Sequence, residues 1–201
     1  MAVNLVKGQK IDLTKGNAGL NQVMIGLGWE PVSKTGKGFL SAMFGGKQQD
    51  IDCDASVIML SEGDKLTDTK DVVYFGNLTH SSQSVCHMGD NLTGDGDGDD
   101  EQIFVELKKV PEHIQKLVFV VNIYDCLNRK QDFGMIQNAY IRIVDNATKT
   151  ELARFNLTDN YQGYTALEVG EVYRHGGEWK FNALGNGTRD ASLKNMVSRF
   201  A

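Results

Sequence analysis

Apolar residues recur at every second position along many short segments of this chain, and that period belongs to a pleated strand rather than a helix. Val23, Ile25, Leu27 and Trp29 alternate with Met24, Gly26, Gly28 and Glu30. Ile51, Cys53, Ala55, Val57 and Met59 share one face, and Asp52, Asp54 and Ser56 share the other. Ile103, Val105 and Leu107 repeat the pattern, as do Ala139, Ile141 and Ile143, and Trp179, Phe181 and Ala183. Leu117 to Tyr124 is apolar on both faces and reads as a central strand. Val72 to Phe75, Glu151 to Leu157 and Thr165 to Tyr173 are further strand segments. With 22 glycines and 2 prolines punctuating them, these segments predict an all-β, two-sheet β-sandwich of about nine or ten strands.

Two stretches break the period. Pro111 suits the first turn of a short helix near 111–116, where its missing N–H costs nothing. Leu193, Met196, Val197 and Phe200 line one face at helical spacing, with Asp190 as the candidate N-cap, and predict a C-terminal helix against the sandwich. Residues 33–49 read as a flexible insertion, and the whole chain, 1–201, as a single domain.

The net charge is −5, from 26 acids and 21 bases. Six of the acids fall in one dozen residues: Asp90, Asp95, Asp97, Asp99, Asp100 and Glu101. The rest of the chain is near neutral, with no basic stripe for nucleic acid. Cys53, Cys86 and Cys126 are odd in number and widely spaced, which argues against a disulfide framework and for a reducing compartment. The first residues carry no apolar signal core, and the longest apolar run, Leu117 to Val121, is too short to span a bilayer. A cytoplasmic protein with no direct membrane span is the expectation.

The acidic run GDNLTGDGDGDDE, Gly89 to Glu101, is where the chemistry concentrates. Carboxylates this dense repel one another, and a packed loop tolerates them with a cation or by splaying into water. Alternating Asp and Gly turns the backbone tightly and gathers the six to eight oxygens that Ca²⁺ takes. Asp95, Asp97 and Asp99 match the start of an EF-hand loop, with Glu106 at its twelfth place. Asp100 stands where that loop needs glycine, and a strand follows instead of a helix, so this is calcium chemistry on a β scaffold. Asp52, Asp54 and Asn91 are further candidate oxygen donors. One or two ions fit the number of acids. Mg²⁺ is the weaker alternative, because a flexible many-carboxylate loop favours the larger ion.

The remaining polar residues read more plainly. His80, His87, His113 and His175 lack zinc spacing and read as surface or capping residues. Cys86 and His87 are adjacent and would point to opposite faces of a strand, which argues against a nucleophilic pair. Cys53 reads as a core filler. Arg174 and Trp179 are placed to stack across a turn.

The acidic run, with the IFVELKKVPEHIQKLVFVVNIYD that follows it, resembles the TerD domain of bacterial tellurium-resistance and stress-response proteins. GLGWEP, DCDASVIML, RKQDFGMIQNAYIRIVD, ELARFNL and YRHGGEWKFNALG extend the resemblance over nearly the whole chain, and LSAMFGG resembles the TerZ branch. The resemblance implies a Ca²⁺-binding β-sandwich with metal roles for Asp90, Asn91, Asp95, Asp97, Asp99, Asp100 and Glu101, and less firmly Asp52 and Asp54. It implies no catalytic reaction. It implies partners among other Ter-type proteins and a complex of the kind built on membrane-associated TerC and on TerB, at the inner face of the membrane. Leu92 stands where the family often has Arg, Asp95 where Glu is common, and the C-terminus lacks the aromatic and glycines of TerD itself.

Three functions are therefore carried forward. The first is a Ca²⁺-ordered, non-enzymatic interaction module in tellurite and chemical stress resistance. The second is a metal-dependent hydrolase or phosphoryl-handling enzyme using the acidic site. The third is a purely structural metal.

Overall fold

The structure is a computed structural model and describes residues 2–32, 51–89 and 98–201. The predicted insertion, 33–49, lies outside the described residues. Twelve strands are described: β1 (Val3–Leu5), β2 (Lys10–Asp12), β3 (Gln22–Pro31), β4 (Cys53–Leu60), β5 (Val72–Val73), β6 (Val85–His87), β7 (Glu101–Glu106), β8 (Lys116–Ile123), β9 (Ile136–Asp145), β10 (Thr150–Asn156), β11 (Ala166–His175) and β12 (Glu178–Thr188). Two short helices join them, α1 (Cys126–Arg129) and α2 (Leu193–Ser198).

The strands form two six-stranded sheets, ordered β1-β10-β9-β3-β7-β6 and β2-β12-β11-β8-β4-β5. All pairings are antiparallel except β1 with β10. The alternation decides which face each residue takes. Val23, Ile25 and Leu27 of β3, Ile103 and Val105 of β7, and Cys53, Ala55, Val57 and Met59 of β4 all enter one continuous core. This is the all-β sandwich that the sequence predicts.

The strand β8 is apolar on both faces because both faces are covered. Leu117, Phe119, Val121 and Ile123 face the central core. Val118 and Val120 turn outward, with Ile58, Leu60 and Met196, beneath α2. Met196 is fully buried, which is worth roughly 1.5–3 kcal/mol for a side chain of this size. Ser192 caps α2, its hydroxyl accepting from the Asn195 N–H. Asp190, the predicted cap, instead accepts from Thr188 Oγ1 at 2.7 Å and from Arg199 Nη1 at 2.9 Å.

The helix predicted near 111–116 is a single turn. The Ile114 N–H donates to the Pro111 carbonyl at 3.0 Å, and the Gln115 N–H then donates to Leu60. Six residues are too few to offset helix nucleation, and fully buried Ile114 pulls the chain straight into β8.

Candidate metal centre

Where the acidic loop re-enters the fold, three successive carboxylates go three different ways. Gly98, at φ +123°, makes the turn that an L side chain would resist. Asp99 then lies on the outer face of the first sheet, with its side chain fully buried. Arg142 Nε donates to its Oδ1 at 2.7 Å and Nη2 to its Oδ2 at 2.8 Å. Tyr140 Oη adds a bond to Oδ1 at 3.0 Å and Gln102 Nε2 one to Oδ2 at 3.2 Å.

β3 provides the space. Gly26 pairs with Arg142 and Gly28 with Tyr140 in the β3–β9 ladder. A Cβ on Gly26 would overlap the Asp99 carboxylate, and one on Gly28 would overlap the Tyr140 ring. Arg154 stacks over the same ring, 3.6 Å from its centroid. The bond to Asp99 holds the Arg142 guanidinium protonated far beyond its ordinary range. Burial, and next the Asp99 charge, push the Tyr140 phenol up to about 12.

Asp100 extends the ladder past the end of β7. Its N–H donates to the Leu27 carbonyl at 2.8 Å, and its carboxylate accepts from the Trp29 N–H at 2.7 Å. This sits at the register shift between Gly28 and Glu30, where a bulge leaves a backbone donor without a ladder partner.

Glu101 turns inward. Its side chain is almost fully buried, and Oε2 is 2.7 Å from His87 Nε2. His87 Nδ1 accepts from the Gly89 N–H at 3.1 Å, so the ring proton is at Nε2, facing Glu101 and the Ala55 carbonyl 3.1 Å away. The imidazole therefore ties β6 and β7 of one sheet to β4 of the other.

Two further candidates stand at the start of β4. Asp52 Oδ2 is 3.7 Å from Arg129 Nη1, and that guanidinium lies over the Tyr124 ring. Asp54 accepts from Asn122 Nδ2 at 3.4 Å, across the β4–β8 ladder. Cys53 lies between them, fully buried. Burial raises its thiol pKa well above the ordinary value, and the charges of Asp54, Asp52, Glu101 and Asp100 add to the rise.

Asp90, Asn91, Asp95 and Asp97, also predicted as ligands, lie outside the described residues. Among the described residues, no three His, Cys, Asp or Glu side chains stand close enough to hold a metal ion. The candidate donors are hard carboxylate oxygens, the chemistry Ca²⁺ takes. The neighbouring thiol is kept protonated and is unsuited to ligation.

Two of the histidines read as surface or capping residues are buried. His80 is buried, with Nε2 3.0 Å from Asp71 and Nδ1 2.7 Å from Ser82 Oγ, and His87 is buried on Glu101. Each has a carboxylate to satisfy its ring, which is how a buried imidazole is accommodated. The His87 partnership has a trace in the sequence, because His87 is two positions from Val85 on the inward face. The predicted stack of Arg174 on Trp179 is present, 4.3 Å from the ring centroid.

The fold and the site define a two-sheet, all-β sandwich domain with a carboxylate-rich loop stem pinned at one end. The TerD domain model matches residues 1–200, and the chain belongs to that family. It is 60% identical to the stress response protein SCP2 of Bacillus subtilis (strain 168), over the full length of both chains. It is 41% identical to the tellurium resistance protein TerZ of Serratia marcescens, covering 98% of this chain and 95% of that one. The crystal structure of a homologue of the telluride resistance protein TerD from Streptomyces coelicolor A3(2) shares the fold, with a TM-score of 0.62 at 19% identity over 88% of this chain and 98% of the other. Among the described residues no helix is long and apolar enough to cross a membrane.

Proposed function

We propose that this protein is a Ca²⁺-binding, non-enzymatic interaction module that acts in resistance to tellurite and other chemical stress. Its family supports the stress-resistance role. The observation that carries the calcium reading is the acidic run itself, six acids in the dozen residues from Asp90 to Glu101, whose stem is held in the fold by the Trp29 N–H on Asp100 and by His87 on Glu101. Carboxylates this dense in the sequence suit one or two hard cations.

In this reading Asp52, Asp54, Asp90, Asn91, Asp95, Asp97, Asp100 and Glu101 form the ligand set. Asp99 holds the stem in place, because Arg142, Tyr140 and Gln102 already occupy its oxygens. Metal neutralises the acids, orders the loop and fixes a surface for a cytoplasmic partner of the Ter type, in a complex at the inner face of the membrane that includes TerC- and TerB-like proteins.

Calorimetry with Ca²⁺ on chelator-stripped protein tests the metal reading. Saturable binding at micromolar concentrations is the expected result, and no binding below about 1 mM rejects it. A pulldown with and without chelator then separates an interaction module from a purely structural ion, which would leave partner capture unchanged.

A further inference from the structure

A cavity of about 430 Å³ opens on the outer face of the second sheet, beside α2, within the size range of small-molecule sites. The surface it shows is almost wholly apolar. Tyr74, Phe75 and Tyr124 supply rings, and Leu193 and Val197 of α2 add aliphatic surface. Phe75 and Tyr124 are each half exposed.

Residues outside the lining hold these walls in shape. The Tyr74 and Asn77 backbones exchange two hydrogen bonds, of 3.2 and 2.8 Å. A Cβ at Gly76 would overlap the Tyr74 ring, so the ring lies directly against the turn. Phe75 meets that ring edge to face, with centroids 5.4 Å apart. The Arg129 guanidinium covers the Tyr124 ring, 5.1 Å from its centroid. Fully buried Met196 anchors α2, and Leu193 and Val197 pack on the same cluster. Walls fixed in this way cost a ligand little ordering on entry. A preformed concavity rimmed by exposed rings marks a binding site rather than scattered surface hydrophobicity.

The lining also selects the ligand's charge. Two ionic residues border the cavity, Asp54 and Lys194, and their signs are opposite. A cation meets one of them as a like charge and an anion meets the other. A charge of either sign therefore loses hydration without a one-sided attraction to offset it. Ser56 Oγ and Asn122 Oδ1 are sealed beneath the cavity and offer a ligand no contact. Recognition falls to the apolar surface. With three rings in that surface, an aromatic ligand gains edge-to-face and offset contacts that a saturated ligand of the same shape lacks.

We propose that this cavity binds a small uncharged aromatic molecule of one or two fused rings. Its contacts are with Tyr74, Phe75, Tyr124 and the apolar side of α2. The inference is independent of the calcium reading, because none of these residues is a proposed metal ligand.

The test uses the full chain in excess Ca²⁺, isotope-labelled for amide NMR and titrated with 2-naphthol, which is uncharged at neutral pH. Three compounds of similar shape are titrated separately: 2-naphthoate, 2-naphthylmethylammonium and the saturated decahydro-2-naphthol. The expected result is saturable shifts confined to amides of β4, β5, β8, α2 and the turn at 74–77. 2-Naphthol should bind at least about tenfold more tightly than either ion. It should bind about threefold or more above the saturated alcohol, as lost ring contacts predict. Phe75→Ala should weaken binding by a similar factor of about threefold. Val197→Trp, which fills the cavity, should weaken it by at least about tenfold. Should Val197→Trp fail to fold, Phe75→Ala, at an exposed position, carries the test. No saturable shifts at about 1 mM 2-naphthol, shifts elsewhere, or equal binding of either ion or of the saturated alcohol would overturn the proposal. Calcium calorimetry on wild type and both variants reports the calcium reading separately, and the variants should bind the ion as wild type does.

Discussion

Arg142 grips Asp99 through two parallel bonds, Nε to Oδ1 and Nη2 to Oδ2, in a trough that exists because residue 26 has no side chain. The bidentate fork is the strong, directional form of ion pairing. Two residues later Glu101 is held inside the sandwich by His87. The stem of the acidic loop is therefore fastened on both faces of the first sheet.

A double-mutant cycle tests this pair. Arg142→Ala leaves a buried carboxylate without its counter-charge. It should lower unfolding stability by about 2–4 kcal/mol, at the lower side of the range for buried pairs because Arg142 is partly exposed. Asp99→Ala should have a comparable effect. Removing both should cost clearly less than the sum, since the same interaction is lost once. Urea denaturation of the four proteins measures it, and simple additivity would disprove the pairing.

Gly26→Ala should be as damaging as losing the ion pair itself. Its φ is not in the left-handed region, so the backbone tolerates alanine, and the cost comes from the methyl group displacing the Asp99 carboxylate. A loss of about 2 kcal/mol or more is the expected range for an overpacked buried site. In Asp99→Ala the obstacle is gone, and the same Gly26→Ala change should then be nearly neutral. Thermal denaturation of the single and double variants reads this directly.

Such a relationship shows where sequence reading stops. β3 is legible because Val23, Ile25 and Leu27 repeat at a period of two, and α2 because Leu193, Met196 and Val197 repeat at helical spacing. β1, β2 and β6 are three residues each, too short for either period to register. Gly26 and Gly28 are visible as outward positions, but the side chains that fill their space, Asp99 and Tyr140, come from distant strands and loops. The acidic run announces its donor chemistry in composition alone. That Asp99 turns outward to an arginine while Glu101 turns inward to a histidine depends on the sheet register, which local pattern does not encode.

The three thiols should differ sharply towards alkylating reagents. Cys53 is fully buried and its pKa is raised by burial and by four surrounding carboxylates. Cys126 is also buried, and desolvation raises its pKa too. Cys86 is half-buried and lies beside Thr79 Oγ1. The thiolate is the reactive species, so iodoacetamide on native protein should label Cys86 first, with Cys53 and Cys126 following only on unfolding. Peptide mass spectrometry identifies the order, and early labelling of Cys53 would contradict its burial.

Tyr140 gives a prediction at alkaline pH. Its folded pKa of about 12 lies above the ordinary phenol value of 10.0, with burial the main cause. The unfolded chain therefore releases this proton first as pH rises. The stabilisation is complete below about pH 10 and is lost progressively as pH rises towards 12. Tyr161, also raised to about 12 by burial, has the same sign. Tyr140→Phe should remove its share of the alkaline decline while Tyr161 keeps its own. Phenolate absorbance and denaturant midpoints followed across that pH range measure both.

Metal removal should show as a concentration-dependent loss of stability. A ligand that binds only the folded chain stabilises it by mass action, about 2.7 kcal/mol at one hundred times its dissociation constant. Chelator-stripped protein should therefore melt several degrees lower than protein in excess Ca²⁺, with the gap growing as the logarithm of the free ion. Mg²⁺ at the same concentration should do less, because it demands a tight octahedron and gives up water reluctantly. Asp100→Asn and Glu101→Gln should shrink the Ca²⁺-dependent part. Asp99→Asn should lower the melting temperature with and without Ca²⁺ alike, since its oxygens serve Arg142. If Asp99→Asn instead abolished only the Ca²⁺-dependent increment, Asp99 would be a metal ligand and its place in the ligand set would be restored.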